Sequence, residues 1–175
     1  AIWNSGDQLF LRDLTAGTST TVSTSAGNWG NDVAPNGDVV FWGNGYQIFR
    51  YRAGQVTQLT NDSDLWNTYP VTDGTNVVYR KHTPCCSEGT YAIVMYDAQG
   101  EITLAPARPQ APGPGPHYQV NNGWVAYTKA GNDGNLQVWT RSPGGDLRQH
   151  TFFGTSSTID ALGAERVAAL AGLDP

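Results

Sequence analysis

Charge is scarce in this sequence: Asp, Glu, Lys and Arg together make 14% of its 175 residues, against about a quarter in typical soluble domains. What charge there is leans acidic, with a net −5 at pH 7. A nucleic-acid partner is excluded, because no basic stripe exists to release counterions. The same balance gives no pull towards anionic membranes. No apolar run reaches the length of a membrane span, and no basic-then-apolar leader opens the chain, so membrane insertion is not expected. Cysteine is limited to Cys85 and Cys86, which are neighbours and cannot staple distant segments. With only His82 nearby, they fall short of a four-ligand zinc site. Helix periodicity is nearly absent; "GAERVAALAGL" (Gly163–Leu173) is the one stretch rich in helix formers. Nucleophile elbows, H-E-x-x-H, phosphate loops and dinucleotide fingerprints are all missing.

What is present is turn chemistry and rings: 21 Gly, 10 Pro and 11% aromatics. This composition suits a β-rich protein outside the cytoplasm, secreted or periplasmic. The chain opens directly in a strand-and-turn pattern, "AIWNSGDQLFLRDL", so residue 1 reads as a processed end or a boundary, which favours export.

The chain repeats. Short apolar strands ending in an aromatic recur as "AIW", "VVF", "VVY" and "VAY", closing at Trp3, Phe41, Tyr79 and Tyr127, with a degraded copy "VAA" ending at Ala169. Their spacings of roughly 38 to 48 residues fall within the periods of propellers and solenoids. A second strand follows each of the first four: "QLFL", "QIFR", "AIVM" and "QVWT". Gly- and Asp-rich turns come next, then "TTVS", "VTQLT", "EITLA" and "LRQHT". A last segment precedes the next aromatic strand: "DVAPNGD", "YPVTDGTN", "YQVNNG" and "IDALGAE". The unit is four short β-segments with turns between them. Alignment with the other copies makes Arg166–Ala171 a strand, not a helix.

Four-stranded sheets repeated radially are the β-propeller answer to exposed strand edges. The pattern resembles the TolB-like, WD40-like propeller repeat in its Pro and "DG" turn, aromatic-ended strand, "I-aromatic" strand and closing "LT". Leu59–Lys81 carries the resemblance best. It covers essentially the whole chain and implies fold far more than function. The expected fold is all-β, a single propeller domain of about four blades, near 1–30, 31–67, 68–116 and 117–156. Residues 157–175 either complete the first blade with the N-terminus or start another. The ring then closes within one chain, or the chain is a section of a larger propeller, which a homo-oligomer could also complete.

The third interval is the longest, and two insertions account for it: "KHTPCCSEGTY" (Lys81–Tyr91) and "ARPQAPGPGPHY" (Ala107–Tyr118). In propellers resembling this one, connections between the second and third strands share the commoner ligand face with those leading into the next blade, so both insertions should rise from it. Adjacent Cα atoms lie about 3.8 Å apart, short of the roughly 4.4–6.8 Å that disulfides span. A Cys85–Cys86 bridge would therefore be strained and would add little chain-entropy stabilisation. A rigid vicinal disulfide, two thiols and a crosslink to another chain all stay open.

Trp29 and Trp66 occupy similar connectors, and the third such connector carries His117 and Tyr118. Aromatic groups beside Asn and Asp suit a sugar-binding surface, where a flat ring stacks on a pyranose and amides meet its hydroxyls. The candidate ligand-binding residues are Trp29, Asn31, Trp66, Asn67, Tyr69, His82, Cys85, Cys86, His117 and Tyr118. For each Trp the competing reading is packing between blades; Trp3, Trp124 and Trp139 lie within strand patterns and are assigned to packing. "NDSDLWN" and "GNDGN" could offer oxygens to calcium, but neither completes the calcium-loop pattern, and ordinary turns explain both. No other cofactor is indicated. His150 falls at a strand position and reads as structural. Asp62, Asp64, Asp73 and Glu88 suggest no defined acid/base pair. The expected function is a binding module for carbohydrate, the alternatives being a protein-docking propeller or part of a larger glycan-active enzyme.

Overall fold

The computed structural model describes residues 1–24, 29–84, 90–109, 118–152, 154, 157–162 and 167–171. Within them the first sheet holds β1 (Ile2–Ser5), β2 (Gln8–Arg12) and β3 (Ser19–Ser23) in that order. The second runs β4 (Trp29–Val33), β5 (Val39–Gly43), β6 (Gln47–Arg52) and β7 (Gln55–Gln58). The third holds β8 (Trp66–Thr72), β9 (Val77–His82), β10 (Thr90–Asp97) and β11 (Gly100–Pro109). The fourth holds β12 (Tyr118–Asn121), β13 (Trp124–Ala130), β14 (Leu136–Arg141) and β15 (Leu147–Gln149). Finally β16 (Ser157–Leu162) pairs with β17 (Val167–Ala171) in a sheet of their own, not with β1. All pairs are antiparallel.

The first strand of each repeat lies innermost: β4 packs against β8, β8 against β12 and β12 against β16. The last strands, β7 and β15, are largely exposed. Strand order therefore runs from an axis outwards, the blade arrangement of a β-propeller. Trp29 and Trp66, read from the sequence as connector residues, open the inner strands β4 and β8.

In the second, third and fourth sheets the second strand is covered on both faces, which explains why "VVF", "VVY" and "VAY" are continuous apolar runs and do not alternate with polar residues. Successive side chains point to opposite neighbours. Val39 and Phe41 join Leu9 and Val22 of the first sheet, while Val40 joins Ile48, Val77, Tyr79 and Val94. Val78, Ile93 and Met95 face Tyr118, Val125 and Tyr127 of the fourth sheet. The core is thus a set of layers between blades. Each fully buried side chain of this size contributes about 1.5–3 kcal/mol. Polar rivets join the inner strands and the turns that follow them: Thr72 N donates to Asp32 Oδ2 (2.8 Å), Gly123 N to Asp73 Oδ2 (2.6 Å) and Leu162 N to Gln119 Oε1 (2.7 Å).

A buried clasp recurs in the second and fourth sheets. Thr60 Oγ1 donates to Gln47 Oε1 (2.8 Å) and accepts from Ile48 N (2.9 Å), while Gln58 Nε2 donates to Thr60 O (2.7 Å). In the fourth sheet Thr151, Gln137, Val138 and Gln149 repeat all three bonds, at 2.7, 2.9 and 2.7 Å. The third sheet has Ala92 and Ala105 at the matching Gln and Thr positions. There Ile93 pairs with Ala105 and the ladder continues to Thr90 and Pro109.

Candidate functional site

The register places one end of the second and third sheets together. Trp66 pairs with His82, Trp29 with Trp42, and Thr90 with Pro109. The end of β9, the start of β10 and the end of β11 therefore lie at one end of the third sheet. Cys85, Cys86 and His117 lie outside the described residues, and so does the side chain of Trp29.

At this end a row of rings crosses from the second sheet to the third. Trp42 stacks on Tyr46 with centroids 5.2 Å apart, and Tyr46 stacks on Trp66 at 3.9 Å. Trp66 then meets the edge of His82 at 5.8 Å. Tyr46 comes from a single turn of 3-10 helix at Asn44–Tyr46, between β5 and β6. One face of Trp66 is thus covered by Tyr46, and Trp66 is half-buried. His82 Nδ1 lies 3.2 Å from Thr83 O, which only accepts, so this nitrogen carries the proton. Nε2 then accepts from the Thr68 hydroxyl at 3.2 Å. Burial, reinforced by the Arg80 charge, lowers the His82 pKa below that of free imidazole.

Tyr69 stands apart from the row. It sits at the bulge of β8 between Thr68 and Val71, in left-handed backbone (φ 54°), with 46% of its surface exposed. For a bulky residue this conformation costs about 1–3 kcal/mol and persists only when its surroundings impose it. Those surroundings are visible. The Tyr118 hydroxyl donates to Tyr69 O at 2.5 Å, and the Arg80 guanidinium lies 4.9 Å from the Tyr69 ring centroid and 4.5 Å from that of Tyr91. Gly30 occupies the matching bulge of β4, also left-handed (φ +61°). A Cβ there would come within 2.7 Å of Trp42 Nε1 and 3.5 Å of Tyr69 Cδ1, so glycine lets the two strands approach.

The remaining expected residues are placed less openly. Tyr118 is fully buried, and burial drives its phenol pKa far up. It supports Tyr69 from the core and presents no surface to a ligand. Asn67 is also fully buried, donating to Gln47 Oε1 (3.1 Å) and Asp62 Oδ2 (3.0 Å). Asn31 is half-buried and donates to Asn4 Oδ1 (3.1 Å). Asp62, from the loop weighed for calcium, is turned to Asn67 and to Lys81 Nζ (3.1 Å). Lys81 also reaches Glu101 (2.6 Å), which accepts from the Tyr79 hydroxyl. Burial disfavours the Lys81 ammonium, but the bonds to Glu101 and Asp62 outweigh it and raise the pKa. Among the described residues no three His, Cys, Asp or Glu side chains gather as a metal site.

Sequence reasoning missed Trp42, Tyr46 and Arg80. Trp42 and Arg80 occupy one repeat position, directly after "VVF" and "VVY", since they pair with Trp29 and Thr68 beside the two bulges. That position was a legible signal in these two blades: the apolar run ends in a residue too large or too polar for an interblade layer, where the fourth sheet has the buried Thr128.

No protein-family model matches the chain, and no curated protein does. Among solved structures it is similar to the acylaminoacyl peptidase of Pyrococcus horikoshii, at 15% identity and a TM-score of 0.50, over 87% of this chain and 27% of that one. It is also similar to the tricorn protease, at 9% identity and a TM-score of 0.43, over 89% of this chain and 20% of that one. The chain spans about a quarter of the peptidase's length, and likeness at such identity concerns fold alone. Taken with the radial strand order, the likeness to the peptidase makes this chain a β-propeller built of four-stranded blade repeats.

Proposed function

We propose that this propeller is a non-catalytic, extracytoplasmic carbohydrate-binding module, receiving its ligand on Tyr69 at the end of β4 and β8. The observation that carries the reading is Tyr69 itself: a large aromatic in costly left-handed backbone, nearly half exposed, fixed by Tyr118 and Arg80. A rigid ring presented to solvent is what the apolar face of a pyranose stacks on. The half-buried amide of Asn31, on the neighbouring inner strand and bonded to Asn4, is offered as a partner for a sugar hydroxyl. Trp66, with one face on Tyr46, serves to hold the row. The low charge of the chain supports a neutral ligand and a location outside the cytoplasm.

The contiguous row from Trp42 to Trp66 favours a second reading, a protein-docking platform of TolB-like type. Its rings are half-buried on one another, which leaves less free apolar surface than docking needs.

A glycan array with the intact chain, with and without calcium and after reduction, tests the proposal. Selective binding that Tyr69→Ala removes and calcium withdrawal leaves unchanged is expected. Loss on reduction would add the Cys85–Cys86 segment to the site. Silence under every condition overturns the carbohydrate reading.

A further inference from the structure

The fourth sheet carries a second feature at the same end of the blades. Phe152, in the connector from β15 to β16, is 78% exposed. Beside it lies a depression of about 270 Å³ lined by Gly131, Asn132, Asp133, Gln137, Gln149 and Phe152. The walls are held in place from both sides. Asp133 accepts from Asn135 N (3.1 Å) and Asn135 Nδ2 (2.9 Å), and that same amide donates to Gly154 O (2.9 Å), tying the β13–β14 turn to the connector. Gln149 Nε2 is pinned on Thr151 O at 2.7 Å.

In the second sheet the matching end of the hairpin is packed by its own connector. There the residues after Thr60 fold over the clasp: Asp62 N donates to Gln47 Oε1 (3.1 Å), Gln47 Nε2 donates to Asp62 O (2.8 Å), and Asn67 adds its amide. In the fourth sheet the clasp is the same, a depression adjoins it and Phe152 stands exposed at the rim.

We infer that this depression is a second subsite, taking a single neutral sugar ring. Phe152 provides the stacking face, and Asn132, Asp133 and Gln149 meet the hydroxyls. This inference rests on the carbohydrate reading proposed for Tyr69. The volume lies just under the roughly 300 Å³ at which ligand pockets begin, which suits one ring and not a chain of them. Asp133 is held ionised by its bonds to Asn135, and each carboxylate oxygen keeps a lone pair for a hydroxyl. With a carboxylate and no cation among the lining residues, anionic sugars are repelled. Two subsites on one end of the propeller raise avidity for a branched or repeating glycan.

The test is amide chemical-shift mapping of the intact chain titrated with the methyl glycosides of glucose, galactose, mannose and N-acetylglucosamine. For at least one glycoside, saturable shifts are expected at residues 131–135 and 149–152. Phe152→Ala should weaken them about tenfold or more, whereas Tyr69→Ala should leave them unchanged. Phe152 is exposed, so its removal should not disturb folding, which thermal unfolding of the variant verifies. Shifts confined to the surroundings of Tyr69 overturn the second subsite and leave the first standing. Absence of shifts anywhere overturns both.

Discussion

The third sheet and its two neighbours solve one problem in different ways. In the second and fourth sheets a Gln and a Thr close the outer hairpin with buried side-chain bonds. In the third, two alanines stand there and the backbone ladder runs on, giving β10 eight residues and β11 ten, against six and four for β6 and β7. The clasp ends a hairpin; its absence lets the hairpin lengthen. The lengthened hairpin is the one from which both insertions leave. The replacement is concerted for a physical reason: losing both partners of a buried hydrogen bond is nearly neutral, while losing one leaves an unsatisfied group.

Breaking the clasp on one side should therefore have the largest effect. Gln47 is 6% exposed and bonds to Thr60, Asp62, Asn67 and Gly45. Gln47→Ala should cost about 3 kcal/mol, since several orphaned groups each cost about 1–3 kcal/mol. Urea unfolding measures it. The double variant Gln47→Ala with Thr60→Ala should lose less than the sum of the two single changes. Additive losses would mean that the two side chains act separately. In the third sheet, Ala92→Gln alone should destabilise, and adding Ala105→Thr should recover part of the loss.

The two bulges offer the next contrast, glycine in β4 against tyrosine in β8. Gly30→Ala should cost about 1–3 kcal/mol, because its backbone is left-handed and its Cβ would press on Trp42. Tyr69→Gly runs the other way: it relieves about 1 kcal/mol of backbone strain while losing ring contacts. Its stability should stay within about 1 kcal/mol of the parent while glycan binding disappears. A large loss of stability would show that the strained tyrosine is held for folding.

The repeat was legible because interblade packing demands a continuous apolar run in every second strand, and such a run survives when its identities drift. The strand at Val167–Ala171 was legible only by alignment, since its own residues favour helix. The clasp was written in "QIF…QLT" and "QVW…QHT", with its joint loss in "AIV…TLA", yet a pairing across a hairpin is invisible to a strand-by-strand reading. Asn67 and Tyr118 look like surface polar and aromatic residues from their Asn- and Gly-rich neighbours. Their burial follows from the inner position of β8 and β12, which only the radial order reveals. Phe152 directly follows the clasp threonine, where the second repeat has Asn61, and nothing local distinguishes an exposed ring from a core one.

The smallest effect compares the histidines of the third and fourth sheets. His82 shares a hydrogen bond with Thr68 and His150 with Thr140, and in both burial, then a nearby arginine, lowers the pKa. An unfolded imidazole titrates near 6.5, so in the window just below that value the unfolded chain takes up protons that the folded chain refuses. Stability is then complete above this window and falls as pH drops through it towards the folded pKa. His82 is half-buried against Trp66, while His150 is exposed, so His82 should dominate. Unfolding free energy measured between pH 7.5 and pH 5 should decline less steeply in His82→Asn than in the parent, with His150→Asn changing the slope less. Equal slopes in the parent and in His82→Asn would mean that the end of the third sheet tolerates an imidazolium as readily as the fourth, and that the ring row does not seal His82 from water.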